Sequence, residues 1–358
     1  MRVLFKQSYD QDIRIAKHRG HLIWYGLLLL STLCAPLFIG SFYLGELSRV
    51  MILALAGLGL MFVTGFTGQV SLGHAAFVAA GAYANAWALS RGWPSLAAIP
   101  FAGFVSMLCG LAVAVPASRM SGIYLAIGTL AFAIIVEDGI IKLDGITGGN
   151  RGMAVEAPVF LGFRMWESWQ LYYLCLFVLV ACIFAVLNFM RSPVGRAMIA
   201  VRDSEVSARS LGVKVARTKI FAFAVSAAIT GFAGALFSHY LQFISPEIFG
   251  VVLSIQLLLM IVVGGLGTVH GAIFGAALVG LLETGINLAK DYLPPGIGSQ
   301  PGLEPLLFGI ILVGFILFEP QGVYGRWVKI RSYFELFPLY RRKTFVRQRS
   351  YLKTDRMQ

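Results

Sequence analysis

Charge is scarce in this chain. Asp, Glu, Lys and Arg together supply 13% of its 358 residues, about half the share of an ordinary soluble domain, so water is not its main solvent. Histidine numbers five and cysteine four, and they do not cluster. Cys34, Cys109, Cys175 and Cys182 all fall inside apolar runs, without CxxC spacing and with no group of histidines nearby. That excludes a zinc knuckle or a disulfide framework and leaves the cysteines as small hydrophobes. No GxxxxGK[ST], HExxH or GxSxG pattern occurs, so the chain has no ordinary cradle for a nucleoside triphosphate and no metalloprotease or esterase signature. The one dense glycine run outside the apolar segments, Gly148 to Gly152, is not a dinucleotide fingerprint, because no strand precedes it.

What fills the chain instead is apolar. The hydrophobic share is 58%, the mean hydropathy is +0.78, and several runs are apolar on every side for about 20 residues, enough to span a bilayer. They fall at 22–42, 47–66, 70–90, 95–116, 122–141, 170–190, 218–242, 251–269, 271–289 and 303–320. The fold expected is therefore all-α, a polytopic transmembrane helical bundle of about ten spans, some of them broken. The basic stretch ahead of Leu22 imitates a secretion signal, but no small-x-small site follows it, so the first run reads as an uncleaved span.

Net charge is +12, and its placement decides what it means. One block is the N-terminal arm, with Arg2, Lys6, Arg14, Lys17 and Arg19; a second is the loop from Arg191 to Lys219; a third is the tail from Arg326 to Arg356. Basic residues next to spans mark cytoplasmic segments rather than a nucleic-acid surface. With the arm inside, ten passes place Arg119 and both the loop and the tail inside, and the 142–169 loop outside. The organisation expected is a basic cytoplasmic arm (1–21), a membrane domain (22–320) with a cytoplasmic loop at 191–217, and a basic cytoplasmic tail (321–358).

The third and ninth runs are rich in small residues, which let helices pack closely in lipid. Gly65-Phe66-Thr67-Gly68-Gln69-Val70-Ser71-Leu72-Gly73-His74 separates the second and third runs with glycines and polar groups, the pattern of a broken helix or a tight inner turn. Gly264 to Gly271 repeats that punctuation before the ninth run, consistent with a distant internal duplication. Polar side chains within spans are expensive and so become candidates for a translocation path: Asn85, Glu137, Asp138, His239, Gln256, Glu283 and Asn287 in outer halves, and Gln69, Ser71, His74 and His270 near the inner face. Interhelical hydrogen bonding is the competing explanation for each. At the outer mouth, Thr147, Gly148, Gly149, Asn150 and Arg151 offer either a backbone nest for a carboxylate or a plain glycine turn.

Within the 191–217 loop, Pro193 and Gly195 act as punctuation, Asp203 or Ser204 can cap a short helix, Glu205 suits its first turn and Gly212 can end it. About two turns of helix outside the membrane need a surface to dock on. Five segments in order, GFTGQVSLGHAAF at 65–77, GIYLAIGTLAFA at 122–133, ITGGNRGM at 146–153, GRAMIAVRDSEVSARSLGV at 195–213 and GGLGTVHGAIFGA at 264–276, resemble the LivM and LivH membrane subunits of ATP-binding cassette (ABC) importers for branched-chain amino acids. The resemblance runs from about Leu47 to Gly322. Asn150-Arg151 and the long tail depart from that pattern, and the former bears on the substrate.

The resemblance implies a permease subunit without enzymatic activity, in a bacterial cytoplasmic membrane, with no cofactor of its own. ATP would be bound by separate ATPase subunits, a second permease, by resemblance a paralogue, would complete the path, and a periplasmic or lipid-anchored binding protein would deliver the substrate. It also implies that the loop carries the ATPase contact, with Ala208 and Gly212 in the contact segment, Arg202, Asp203 and Glu205 leading into it, and Gly195, Arg196 and Leu211 beside it. The substrates implied are leucine, isoleucine and valine; urea, short amides and aromatic acids are carried by similar subunits. An ion-coupled secondary transporter is the alternative of another class, and it has no need of a docking helix.

Overall fold

The computed structural model describes residues 19–160, 163–164, 167–290, 303–319 and 322–336. The basic arm up to residue 18 and the tail beyond Leu336, both expected to be cytoplasmic, lie outside the described residues. A helix occupies each of the ten apolar runs. They are α1 (Arg19–Phe38), α2 (Ser41–Leu60), α3 (His74–Ser90), α4 (Ser95–Ala117), α5 (Ile123–Lys142), α6 (Ser168–Arg191), α9 (Val215–Leu241), α10 (Val251–Gly264), α11 (Val269–Lys290) and α12 (Leu303–Phe318). Between α6 and α9 lie two short helices, α7 (Pro193–Asp203) and α8 (Glu205–Ser210), and α13 (Gly322–Leu336) follows α12. Among the described residues, seven helices are long and apolar enough to cross a membrane unaided. The other three runs carry shorter helices or shorter apolar stretches: Ile23–Phe38 in α1 and Leu306–Phe315 in α12, and α3, with 17 residues.

The bundle is built around α2 and α9. The apolar window of α2, extended by its last turn, is 83% buried, whereas those of α5 and α6 are 28% buried and present their remaining apolar surface outward. α9 packs along α4, α3 and α2, and small residues permit the close approach, which is how helices associate where lipid offers no hydrophobic drive. A Cβ on Gly81 would stand 2.3 Å from the carbonyl oxygen of Gly231, and one on Gly234 2.1 Å from that of Val78. At the same seam the Ser106 hydroxyl lies between the carbonyls of Phe77 and Ala227, at 2.9 and 2.7 Å. α1 sits at the rim with Ile23, Trp24, Leu37 and Phe38 exposed, as a lipid-facing helix should.

The loops gather at two ends. At one end, β1 (Met153–Ala154), in the loop after α5, pairs antiparallel with β4 (Phe243–Ile244), just after α9. The hairpin of β2 (Val159–Phe160) and β3 (Phe163–Arg164) belongs to the same end, where the amide of Val159 donates to the hydroxyl of Ser95. The breaks at 66–73 and 265–268, the 118–122 turn, α7, α8 and the start of α13 share the opposite end, so the alternation counted from the sequence agrees with the packing.

Candidate functional site

The break after α2 begins as one π-helical turn, Met61–Gly65, a widening that frees carbonyls from the α ladder and is frequent at functional positions. Threonine hydroxyls take up the slack: Thr67 donates to the oxygen of Val63 at 2.5 Å and Thr64 to that of Gln69 at 3.1 Å. Neighbouring helices satisfy what remains. The amide of Leu72 donates to the Thr129 hydroxyl of α5 and the amide of Ala75 to the Ser254 hydroxyl of α10, each at 3.0 Å. Irregular backbone is thus enclosed in protein, as the membrane interior demands.

Ser71 and His74, expected beside a path, are fully buried in this junction. The Ser226 hydroxyl donates to the oxygen of Gly59 at 2.5 Å, so it accepts from Nε2–H of His74 at 2.8 Å, and Nδ1 then accepts from Ser71 at 2.9 Å. The histidine ties α2, α3 and α9 together rather than facing a lumen. Gln69, five residues earlier, is different: it is 3% exposed and neither amide atom has a hydrogen-bond partner in the protein.

In the other half of the bundle, Gln256 and Glu283 are brought together and hydrogen-bonded, and two residues that the sequence reading passed over complete the group. Arg49 Nη1 is 2.5 Å from Glu283 Oε2 and its Nη2 is 3.0 Å from Glu46 Oε2. Nη2 also reaches the oxygen of Gly280, and the Thr284 hydroxyl donates to Glu46 at 2.8 Å. The available signal was Glu46 and Arg49 spaced i, i+3 in an apolar run, which puts them on one helix face. Asn85 is buried and donates to Ser238 at 2.9 Å and to Nε2 of His239 at 3.2 Å, while its own carbonyl oxygen has no partner in the protein. Glu137 is half-buried on α5 opposite Gly250; Asp138 and Asn287 are exposed. His270 lies 2.7 Å from the hydroxyl of Tyr25 and stacks on Tyr324.

The glycine loop at 148–152 is a closed turn. Gly148, Gly149 and Gly152 have φ of 69°, 55° and 71°, yet the amides that would form a nest are already engaged. Those of Gly148, Arg151 and Gly152 donate to the oxygens of Asp144, Gly148 and Gly149, and that of Gly149 to the hydroxyl of Thr147. Of the two readings offered by the sequence, these engaged amides favour the plain glycine turn, whose last glycine packs on the Ile244 oxygen of β4. Asn150 and Arg151 project outward from it, exposed.

The loop between α6 and α9 contains more helix than its punctuation suggests. Ser192 accepts from the amide of Gly195 and Pro193 takes the first helical position, where its missing N–H costs nothing. Gly195 presses against the backbone of Met190, fixing α7 on α6, and Arg196 stays exposed, with its guanidinium reaching the oxygen of Arg191. Ser204 caps α8 by accepting from the amide of Ser207, and Gly212 closes it at φ 83°. Ala208, placed in a contact surface by resemblance, points inward, 1% exposed, between Val201 and Val215. Val206 and Leu211 carry the outward apolar surface, 77% and 81% exposed. Glu205 is 2.6 Å from Nζ of Lys219, a lysine whose side chain is 2% exposed, so α8 is anchored to α9. Arg202 and Asp203 form a 3.0 Å pair, partly exposed.

A many-helix membrane bundle with enclosed helix breaks, polar groups at depth and a rigid extramembrane helix pair is the build of a transport permease. The model for the family described as branched-chain amino acid transport system, permease component, matches residues 42–316, and the chain belongs to that family. It is 31% identical, over 83% of this chain and 73% of that protein, to the high-affinity branched-chain amino acid transport system permease protein LivM of Salmonella typhimurium. Against the probable LivM of Methanocaldococcus jannaschii the identity is 22%, over 84% of this chain and 91% of that protein. The autoinducer 2 import system permease protein LsrC of Salmonella typhi is 26% identical over 81% and 84%.

Proposed function

We propose that the chain is the path-forming permease subunit of an ABC importer for leucine, isoleucine and valine in a bacterial cytoplasmic membrane, with α7 and α8 at the cytoplasmic face. Separate ATPase subunits bind and hydrolyse ATP, a paralogous permease completes the path, and a soluble or lipid-anchored binding protein delivers the ligand. The observation that carries this reading is α8 itself, a capped six-residue helix pinned by the Lys219–Glu205 pair, with Val206 and Leu211 bared to the aqueous side. Such a short helix is not stable alone, and two large apolar side chains held outside the lipid fit insertion into a protein cleft. The relatives named for branched-chain amino acids support the substrate class. An ion-coupled carrier has no use for this device.

Along the path we place Gln69, whose buried amide is unmatched within the protein, and Glu137, which is half-buried beside the start of α10. Coexpression with the neighbouring ATPase, second permease and binding protein, followed by reconstitution, tests the reading. The parental complex imports leucine, isoleucine and valine but not urea when ATP is supplied, and Val206→Glu with Leu211→Glu inserts normally yet loses the ATPase on purification. Uptake without ATP, or full retention of the ATPase by the double variant, overturns it.

A further inference from the structure

Two glycine breaks, one after α2 and one after α10, meet at the loop end of the bundle. A Cβ on Gly65 would stand 2.8 Å from the nitrogen of Gly267, and the amide of Gly267 points at the sulfur of Met61, 3.1 Å away. The start of α13 closes on the same spot: a Cβ on Gly322 would be 2.6 Å from the oxygen of Val263 and 2.7 Å from the nitrogen of Gly265. Backbone therefore packs closely on backbone here, with the Met61 side chain wedged beside the contact.

One side chain from outside lies across both breaks. Arg202, the penultimate residue of α7, sends Nη1 to the carbonyl oxygen of Gly65 at 3.4 Å, while its Nε and Nη2 hold Asp203 at 3.1 and 3.0 Å. A Cβ on Gly68 would meet Arg202 Cγ at 3.1 Å, and one on Gly267 would meet Nη1 at 3.3 Å. Both glycines also have left-handed backbones, φ 72° and 81°, a region other residues enter only with strain. Backbone conformation thus favours glycine at each position, and an added Cβ would in addition crowd the arginine. The Arg202–Asp203 pair is a third or more exposed on each side, and such pairs add little stability, so stability alone does not account for the arrangement.

We infer that Arg202 is a positioning residue that transmits displacement of the α7–α8 docking element to the two glycine breaks together. α7 and α8 pack on each other through Val201 and Ala208, so a push on the exposed face of α8 moves the pair as a body and Arg202 with it. Glycines at the ends of elements absorb large φ/ψ changes, as hinges do. The arginine fork makes the two breaks respond as one, opening or closing the inner ends of α2 and α10 in step. The inference rests on the importer reading and adds a named transmission contact to it.

The test uses the complete complex in proteoliposomes, with leucine uptake and ATP hydrolysis measured on the same vesicles. In Arg202→Met complexes that retain the ATPase, leucine taken up per ATP hydrolysed falls about tenfold, a common size for coupling between sites. Arg202→Lys, which keeps the cation and loses the fork, falls between. Gly267→Ala, which crowds Nη1 and strains a left-handed backbone, lowers the same ratio. An unchanged ratio in Arg202→Met overturns the inference, as does loss of the ATPase from that variant, which would make Arg202 a docking residue. A parental complex without ATP-driven uptake sinks the importer reading instead, and so the two failures are distinguishable.

Discussion

Removing the charge of Glu283 and that of Arg49 separately and together reveals what the outer ionic group contributes. Arg49 sits between Glu46 and Glu283 with all three side chains about one-fifth exposed, so the group carries two negative charges against one positive. Glu283→Gln keeps the shape and leaves Arg49 paired with Glu46. The expected cost is about 1–2 kcal/mol, below the 3–5 kcal/mol of an orphaned buried charge. Arg49→Met is worse, because two carboxylates then face each other without a cation and the hydrogen bonds to Gly280 and Thr284 are lost, a cost of about 3–4 kcal/mol. In the double variant only Glu46 keeps its charge, so the total falls short of the sum by about 1–2 kcal/mol. Equilibrium unfolding of the purified chain in mixed micelles titrated with dodecyl sulfate measures all three. Costs that add to within about 0.5 kcal/mol, or Arg49→Met milder than Glu283→Gln, refute the reasoning.

Two further outcomes are expected at the loop end. Ser204→Ala removes the N-cap of α8 and costs it about 1 kcal/mol, so hydrogen exchange across 205–210 quickens and less ATPase copurifies, while Ser204→Asp restores both; unchanged exchange would deny the cap its role. Glu319 accepts from Nε of Arg326 at 2.7 Å, and that bond, ahead of the charges of Arg326 and Lys329, holds its carboxyl below the usual range. A lowered folded value means the stabilisation is complete above the ordinary carboxylate range and is lost as pH falls through the folded value. Exchange protection of α13 therefore declines on acidification in the parent, whereas Arg326→Met starts lower at neutral pH and declines less; equal slopes would show that the pair does not secure the helix.

Much of this architecture was readable because lipid imposes a length and a composition on anything that crosses it. All ten apolar runs are helical, and both ends of the short helix α8 are visible in Ser204 and Gly212, whose roles are local. α7 is hidden in the sequence because Pro193 and Gly195 read as punctuation, although Pro at the first position following Ser192 is a helix start. Lys219 and the pair Glu46 and Arg49 escaped for another reason. Each is an isolated charge in its own segment, and its partner lies far along the chain, at Glu205 or Glu283.

The same limit explains why depth in the membrane did not identify path residues. Sequence places a polar side chain at a level, but what decides its part is whether its donors and acceptors are met by other helices. His74 and Gln69 belong to the same break, and both are buried. The imidazole finds Ser71 and Ser226 and becomes a rivet between three helices, so replacing it strands two hydroxyls. The amide of Gln69 finds no protein atom, and a buried amide without a partner is costly. Folding alone gives that position no reason to be glutamine, and that is what supports the proposal that it lines the path.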